Sequence, residues 1–143
     1  MTDPFPFALT IPSELRLLPM ARLFVEAVCQ AGGLEPAVTN AIVLAVNEAT
    51  SNVIRHAHHD CAGTPLLLQC RLMPDGIEVR LVDEGPAFDL STVPHMDPGE
   101  VRVGGRGVYL MRQLMDELTC EPRPQGGNIL HMVKRCARNF PPK

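Results

Sequence analysis

A carboxylate and an amide lie four residues apart in the stretch LAVNEATSNVIRH, residues 44–56. Glu48 and Asn52 would be neighbours on a helix, because side chains at i and i+4 project from the same side. They border a stripe of apolar residues at helical spacing, Val38, Ile42, Val46, Ala49 and Val53. Such a pair could hold a cation against a bound anion, whereas the simpler alternative is a solvent-exposed helix face.

A second carboxylate, Asp83, ends a run of alternating residues and is followed closely by Gly85. Asp83 shares the parity of the apolar residues Ile77, Val79 and Leu81, so we expect it to point toward the covered face of a sheet. A carboxylate in that position needs hydrogen-bond donors. A helix N-terminus, an ordered water or the amine of a ligand would each supply them, and Gly85 has no side chain to block a ligand.

Glycines precede a third candidate element. Gly104, Gly105 and Gly107 surround Arg106, and apolar residues follow at helical spacing, Val108, Met111, Leu114, Met115 and Leu118. A glycine-rich loop that leads into a helix presents free backbone N–H groups to an anion, although the same pattern is typical of a flexible hinge. The preceding residues 86–103 contain three prolines and no regular period, and a segment of this kind often forms a lid that covers a functional site.

Together, the three features indicate one kind of ligand. Asp83 and Gly85 could bind an amine-bearing ring at a strand end, and the glycines could hold phosphates at a helix start. Glu48 and Asn52 could supply a polarising acid and a magnesium ligand. Each feature has a simpler explanation by itself, but their joint presence favours a magnesium-bound adenine nucleotide.

Composition limits the class of protein. The 143 residues fit one domain, and 45% hydrophobic with 20% charged residues is typical of an ordinary globular chain. A formal net charge of −3 without a basic run disfavours nucleic acid as a partner. Because no apolar run reaches the length of a membrane span and the N-terminus lacks a signal pattern, we expect no membrane partner and a cytoplasmic location. Five cysteines without a CxxC pair indicate reduced thiols.

Periodicity also predicts the elements that position these residues. Alternation on both sides of the turn Pro74-Asp75-Gly76 predicts a hairpin between residues 66–72 and 77–82. Helical spacing predicts one continuous helix from about Pro36 to His58. The remaining elements in chain order are an edge strand at residues 5–11, a helix from about Pro19 to Gly32, a helix after Gly107, and strands at residues 118–121 and 129–134.

The motifs occur in an order that resembles a known family. Glu48-Ala-Thr-Ser-Asn52, with Arg55-His56-Ala57, is similar to the N box of the Bergerat-fold ATPases, the superfamily of gyrase and histidine kinases. The other boxes of that family resemble Asp83-Glu-Gly85, Gly104-Gly105-Arg106-Gly107 and, more weakly, Gly126-Gly127-Asn128. The short length and the segment MARLFVEAV are similar to the bacterial anti-sigma-factor serine kinases. The resemblance runs from about residue 11 to residue 135.

The resemblance implies an α/β fold of two layers, in which about three helices cover one face of a mixed, mostly antiparallel sheet. It implies a single ATP-binding domain over residues 1–143, with ATP and Mg²⁺ as cofactors. The implied function is a serine/threonine-protein kinase that phosphorylates an anti-sigma-factor antagonist and sequesters a sigma factor. A homodimer through the first strand and helix is compatible with it. The alternative function is a nucleotide-binding regulatory module that acts by partner exchange, without phosphoryl transfer.

The resemblance also assigns roles to individual residues. Glu48 would activate the attacking hydroxyl as the catalytic residue, Asn52 would coordinate Mg²⁺, and Asp83 would bind the adenine amine. The other residues assigned to nucleotide binding are Gly85, Ala87, Gly104, Gly105, Arg106, Gly107 and Asn128.

Two of these assigned residues depart from the family pattern. Ala87 stands where the family usually has a glycine, and Asn128 where it usually has a threonine. Arg22 matches a position of partner contact, and Arg102 or Arg106 would neutralise developing charge. From helical spacing, we expect His56 to be a core histidine with hydrogen-bond partners.

Overall fold

The computed structural model describes residues 4–58, 63–90 and 106–137, which form five strands and three α-helices. In chain order these are β1 (Phe7–Pro12), α1 (Leu18–Ala31), α2 (Pro36–Asn52), β2 (Pro65–Met73), β3 (Gly76–Asp83), α3 (Arg106–Leu114), β4 (Glu117–Pro122) and β5 (Asn128–Arg135). A 3₁₀ turn at Leu15–Leu17 precedes α1, and a π-helical turn at Val53–Ala57 follows α2. Within these ranges, no helix has the length and apolar character that a membrane crossing requires.

The strands form one sheet in the order β1-β2-β3-β5-β4, and each neighbouring pair is antiparallel. The predicted hairpin is confirmed, since β2 pairs with β3 from Leu67 opposite Val82 to Met73 opposite Gly76. The predicted first strand lies at an edge of the sheet. Because β5 lies between β3 and β4, Asn128 is placed directly beside Asp83.

The helices cover one face of this sheet. Alternate side chains of β2 and β3 are buried in a core shared with α1 and α2, which includes Leu66, Leu68, Cys70, Ile77, Val79 and Leu81 with Val25, Ile42 and Val46. The opposite face carries paired charges, such as Arg71 Nη2 and Glu78 Oε1 at 2.7 Å. The expected fold class is confirmed, and every strand pairing in the described part of the chain is antiparallel.

The central helix is shorter than predicted. α-Helical geometry ends at Asn52, and in the π turn the His58 N–H donates to the Val53 carbonyl (2.8 Å). A π turn closes hydrogen bonds one residue farther along the chain than an α-helix does. Positions after Asn52 therefore rotate away from the faces that a regular helix predicts. The apolar stripe is buried at Ile42, Val46 and Ala49, as expected, but Val53 is only half-buried.

The third helix also ends earlier than its apolar spacing predicts. α3 ends at Leu114, and Leu118 lies in β4 opposite Met132, within the strand that the sequence also predicts at residues 118–121. The Asp116 N–H donates to the Val133 carbonyl (2.9 Å) at the start of this strand pair. One apolar residue can fit both periods, and pairing with β5 decides between them.

Candidate functional site

A cavity of about 590 Å³ lies between α2, α3 and one end of the sheet. It is lined by six of the predicted site residues, Glu48, Asn52, Asp83, Ala87, Gly107 and Asn128. Most of the remaining wall is apolar and includes Val53, Met111 and Leu130. A cavity of this size, with an apolar wall and a few convergent polar groups, is typical of a small-molecule site.

The start of α3 packs directly on the polar stripe of α2. A Cβ atom added to Gly107 would lie 2.7 Å from Asn52 Nδ2 and 3.2 Å from Glu48 Oε2. Only glycine permits this approach without displacing a side chain. The predicted convergence of Glu48, Asn52 and the helix start is confirmed, and the free N–H groups of a helix start favour anions there.

Asp83 is the buried carboxylate that strand parity predicts, with 5% of its surface exposed. Its Oδ1 accepts two hydrogen bonds, from the Gly85 N–H (2.8 Å) and from Asn128 Nδ2 (3.1 Å). Its Oδ2 has no hydrogen-bond partner among the residues that the structure describes. One oxygen therefore holds the carboxylate in place, and Asp83 lines the cavity, where Oδ2 can accept from a donor.

Asn128 makes three hydrogen bonds that fix the turn after β3. Besides its bond to Asp83, Nδ2 donates to the Pro86 carbonyl (2.8 Å), and Oδ1 accepts from the Phe88 N–H (2.9 Å). The preceding Gly127 has φ +96°, and a Cβ there would overlap the Asp83 carbonyl oxygen. Asn128 thus lines the cavity but uses its amide group to hold the turn at residues 83–88.

Gly85 lies behind the cavity wall, not on it. A Cβ atom at this position would lie 2.5 Å from the Cβ of Ala57, at the end of the π turn. The absence of a side chain therefore lets the turn after β3 pack against the end of the α2 segment. The sequence pattern identified this glycine, and the structure gives it a packing role.

The prediction that His56 lies in the core was wrong. His56 is exposed and lines the cavity, whereas the buried histidine is His58, with 3% exposure. His58 Nδ1 lies 2.6 Å from Ser13 Oγ, and Nε2 accepts from the Glu84 N–H (3.0 Å). His58 directly follows the π turn, where the inward-facing positions no longer follow the spacing of a regular helix. No spacing in the sequence indicates the contact between Ser13 and His58.

Arg22 lies on α1, away from the cavity. Its Nη1 donates to Asn47 Oδ1 (2.9 Å), which links α1 to α2 one residue before Glu48. Large apolar side chains on the same two helices are exposed, at 48% for Met20, 65% for Leu23 and 42% for Leu44. This part of the helix layer therefore presents apolar and polar groups to solvent.

Several predicted residues cannot be placed. Gly104, Gly105 and Arg102 lie outside the described residues, and Arg106 is described only as the backbone start of α3. The predicted lid at residues 86–103 is described as far as Leu90, whose carbonyl accepts from Arg112 Nη2 of α3 (3.0 Å).

The charges of the cavity fit a cation-bound anion. Among its described lining residues, Glu48 and Asp83 carry carboxylates, and none is a lysine or arginine. A polyphosphate would therefore need a cation beside Glu48 and Asn52. The described ranges contain no group of three histidines, cysteines or acids that could hold a metal. Mg²⁺ in nucleotide sites commonly binds one or two protein oxygens together with phosphate oxygens. Glu48 and Asn52 can provide the protein oxygens.

A thiol that we did not predict also faces the cavity. Cys120 of β4 is half-buried, and burial raises the pKa of its thiol to about 11, with smaller contributions from the carboxylates of Asp83, Asp89 and Glu121. A thiol with such a pKa stays protonated at neutral pH and is a weak nucleophile. Cys120 is therefore part of the cavity wall and not a candidate for covalent catalysis.

These features agree with a family match over most of the chain. The protein-family model for the histidine kinase-like ATPase domain matches residues 11–134 of this chain. The chain belongs to this family. The histidine kinase domain of the Erythrobacter litoralis EL346 blue-light activated histidine kinase has the same fold, with a TM-score of 0.55 at 20% identity. That comparison covers 94% of this chain and 64% of the solved one.

Similar curated proteins carry a more specific name. The serine-protein kinase RsbW of Listeria monocytogenes is 28% identical over 118 residues, which covers 77% of this chain and 75% of that protein. The serine-protein kinase RsbW of Halalkalibacterium halodurans is 28% identical over 145 residues, which covers 96% of this chain and 87% of that protein.

Proposed function

We propose that this chain is an ATP-dependent protein serine/threonine kinase that acts in the cytoplasm on a small regulatory protein. The observation that carries the proposal is the meeting of Gly107 with Glu48 and Asn52 in the same cavity as the inward carboxylate of Asp83. This arrangement would provide a phosphate end and a base end in one site. The names of the similar kinases support the same activity.

At the base end, Asp83 would recognise adenine. Its Oδ2 can accept a hydrogen bond from the ring amine, while Oδ1 stays bonded to Gly85 and Asn128. Apolar side chains such as Met111 and Leu130 would cover the ring. Adenine is favoured over guanine because guanine has a carbonyl where adenine has its amine, and two acceptors would then face each other.

At the phosphate end, positioning and charge neutralisation carry the reaction. The N–H groups at the start of α3 would bind phosphate oxygens, and by resemblance Gly104 and Gly105 would add theirs. Mg²⁺ held by Asn52 would neutralise charge on the phosphates. Glu48 would accept the proton of the attacking serine hydroxyl. Arg106, or Arg102 before it, would neutralise charge that develops on the transferred group.

The proposed partners are an anti-sigma-factor antagonist, as the substrate, and a sigma factor. The supporting surface lies around Arg22, where Met20, Leu23 and Leu44 expose apolar side chains on α1 and α2. We extend the proposal to a homodimer through β1, which lies at an edge of the sheet, and α1. Loss of substrate phosphorylation in Arg22→Ala, with ATP binding unchanged, would support this surface.

The kinase activity is tested with labelled ATP, Mg²⁺ and a candidate antagonist. Glu48→Gln should bind ATP nearly as wild type does but transfer phosphate at least about a hundredfold more slowly, because the general base is lost. Glu26→Gln, a glutamate of α1 outside the cavity, is the matched control and should behave as wild type. If wild type binds ATP tightly and transfers no label, the proposal fails and regulation by partner exchange alone is favoured.

A further inference from the structure

Both ring nitrogens of the buried His58 have partners from other parts of the chain. Nδ1 lies 2.6 Å from the hydroxyl of Ser13, which follows β1, and Nε2 lies 3.0 Å from the backbone N–H of Glu84, which follows β3. The Ser13 hydroxyl in turn donates to the carbonyl of Thr64, just before β2 (2.8 Å). Four segments thus meet at one imidazole.

The directions of these hydrogen bonds fix the protonation of the ring. A backbone N–H can only donate, so Nε2 carries no proton and accepts from Glu84. The single hydroxyl hydrogen of Ser13 goes to the Thr64 carbonyl, so the Ser13 oxygen accepts from Nδ1–H. His58 is therefore a neutral imidazole with its proton on Nδ1. A side chain without an acceptor at the Nε2 position would leave the Glu84 N–H unpaired.

The position of His58 in the chain gives this hydrogen bond a consequence for the site. Glu84 lies between Asp83 and Gly85, in the turn that places the base-binding carboxylate. His58 directly follows the π turn that ends the α2 segment, and α2 carries Asn52. Ala57 packs against Gly85 at the same point, where an added Cβ would approach to 2.5 Å. The imidazole thus links the turn after β3 to the segment that carries the proposed metal ligand.

We propose that His58 is a positioning residue for nucleotide binding, which acts through its Nε2 acceptor to hold the turn of Asp83 at a fixed place relative to α2. The inference rests on the proposed nucleotide site and adds to it a residue that does not contact the ligand. It assigns a function to the acceptor atom and not only to the volume of the side chain. Two substitutions separate these contributions.

The test measures ATP and ADP affinity by calorimetry for His58→Gln and His58→Asn. The glutamine oxygen can reach the place of Nε2 and accept from Glu84, whereas the shorter asparagine cannot. We expect His58→Asn to weaken binding of both nucleotides by about tenfold, the usual order when a partly buried hydrogen bond is lost, and His58→Gln to stay within about threefold of wild type. His131→Asn, on the open face of the sheet, is the matched control and should bind as wild type does.

A spectroscopic signature completes the test. The imidazole ¹⁵N shifts of His58 in wild type should show the proton on Nδ1. A proton on Nε2, wild-type affinity in His58→Asn, or equal weakening in both His58 variants would overturn the inference. If His58→Asn does not fold by circular dichroism, His58→Gln decides the test: we expect ATP affinity within about threefold of wild type, and a loss of about tenfold would overturn the inference.

The same titrations distinguish this inference from the proposed function. If wild type binds neither ATP nor ADP, the nucleotide site itself is wrong and His58 positions nothing. If wild type and His58→Asn bind both nucleotides equally well, only the role of His58 is wrong.

Discussion

At the proposed base end of the cavity the polar side chains are bonded to one another, whereas at the proposed phosphate end they make no side-chain hydrogen bonds within the described part of the chain. Asp83 accepts two hydrogen bonds through Oδ1, and Asn128 makes three. Glu48 and Asn52 have no side-chain hydrogen bonds to other described residues, although the start of α3 approaches them closely at Gly107.

This difference indicates how each end would work. The base end is preorganised by the fold, so it can select a ring without rearranging. The phosphate end brings the carboxylate of Glu48 and the amide of Asn52 to the start of α3, and neither is paired with another described side chain. A bound cation and phosphates would complete it. Substitutions at the two ends should therefore change different properties.

The largest effect that sharpens this comparison is expected for Asp83→Asn. The asparagine oxygen can keep both bonds that Oδ1 accepts now, which points its NH₂ group into the cavity, where it would face the adenine amine. ATP affinity should fall by about thirtyfold, within the range for a charged hydrogen bond, with little change in thermal unfolding. ITP, which has a carbonyl in place of the amine, should lose less.

Calorimetry with ATP and ITP on wild type and Asp83→Asn measures this change in preference. Asp75→Asn, at the exposed hairpin turn between β2 and β3, is the matched control. An equal loss for both nucleotides would show that Asp83 supports the structure and does not read the base.

A smaller effect is expected for Gly107→Ala at the phosphate end. The added methyl would press on Asn52 Nδ2 at 2.7 Å, while alanine itself favours a helix. ATP affinity should fall by about tenfold, the order expected when one hydrogen-bonded group is displaced, and adenosine affinity should not change. Equal weakening of ATP and adenosine would contradict the division of the cavity into two ends.

The smallest effect that depends on the nucleotide is expected at Cys120. Because the pKa of its thiol is raised from 9.0 to about 11, the thiolate is scarce at neutral pH. Its alkylation at pH 8 should be about a hundredfold slower than that of an unperturbed thiol and should accelerate as the pH rises toward 11. Bound ATP should slow it further, by a few-fold, as measured by mass spectrometry of the Cys120 peptide. If the rate of Cys120 alkylation is the same with and without ATP, the nucleotide binds outside this cavity.

Local periodicity accounts for what could be predicted. The hairpin follows from alternation around Pro74-Asp75-Gly76, and the inward direction of Asp83 follows from its parity with Leu81. The meeting of Gly107 with Asn52 follows from the helix stripe and the glycine pattern, together with the family resemblance. Each of these depends on residues within one or two neighbouring elements.

What could not be predicted depends on irregular geometry and distant pairing. His56 is exposed and His58 is buried because regular α-helical spacing ends at Asn52, and nothing in the residue pattern signals the start of the π turn there. The three bonds of Asn128 require β5 to lie beside β3, which only the assembled sheet decides. The bond between Ser13 and His58 joins residues 45 positions apart.

The most direct test of the account is a calorimetric titration of the wild-type chain with ATP, with and without Mg²⁺, and with GTP as the competing base. We expect saturable binding of ATP that Mg²⁺ strengthens, because the cavity supplies carboxylates and no described lysine or arginine, and much weaker binding of GTP. Absence of any heat with ATP and Mg²⁺, or equal binding of ATP and GTP, would contradict a single cavity that reads adenine at Asp83 and holds magnesium-bound phosphates at Asn52.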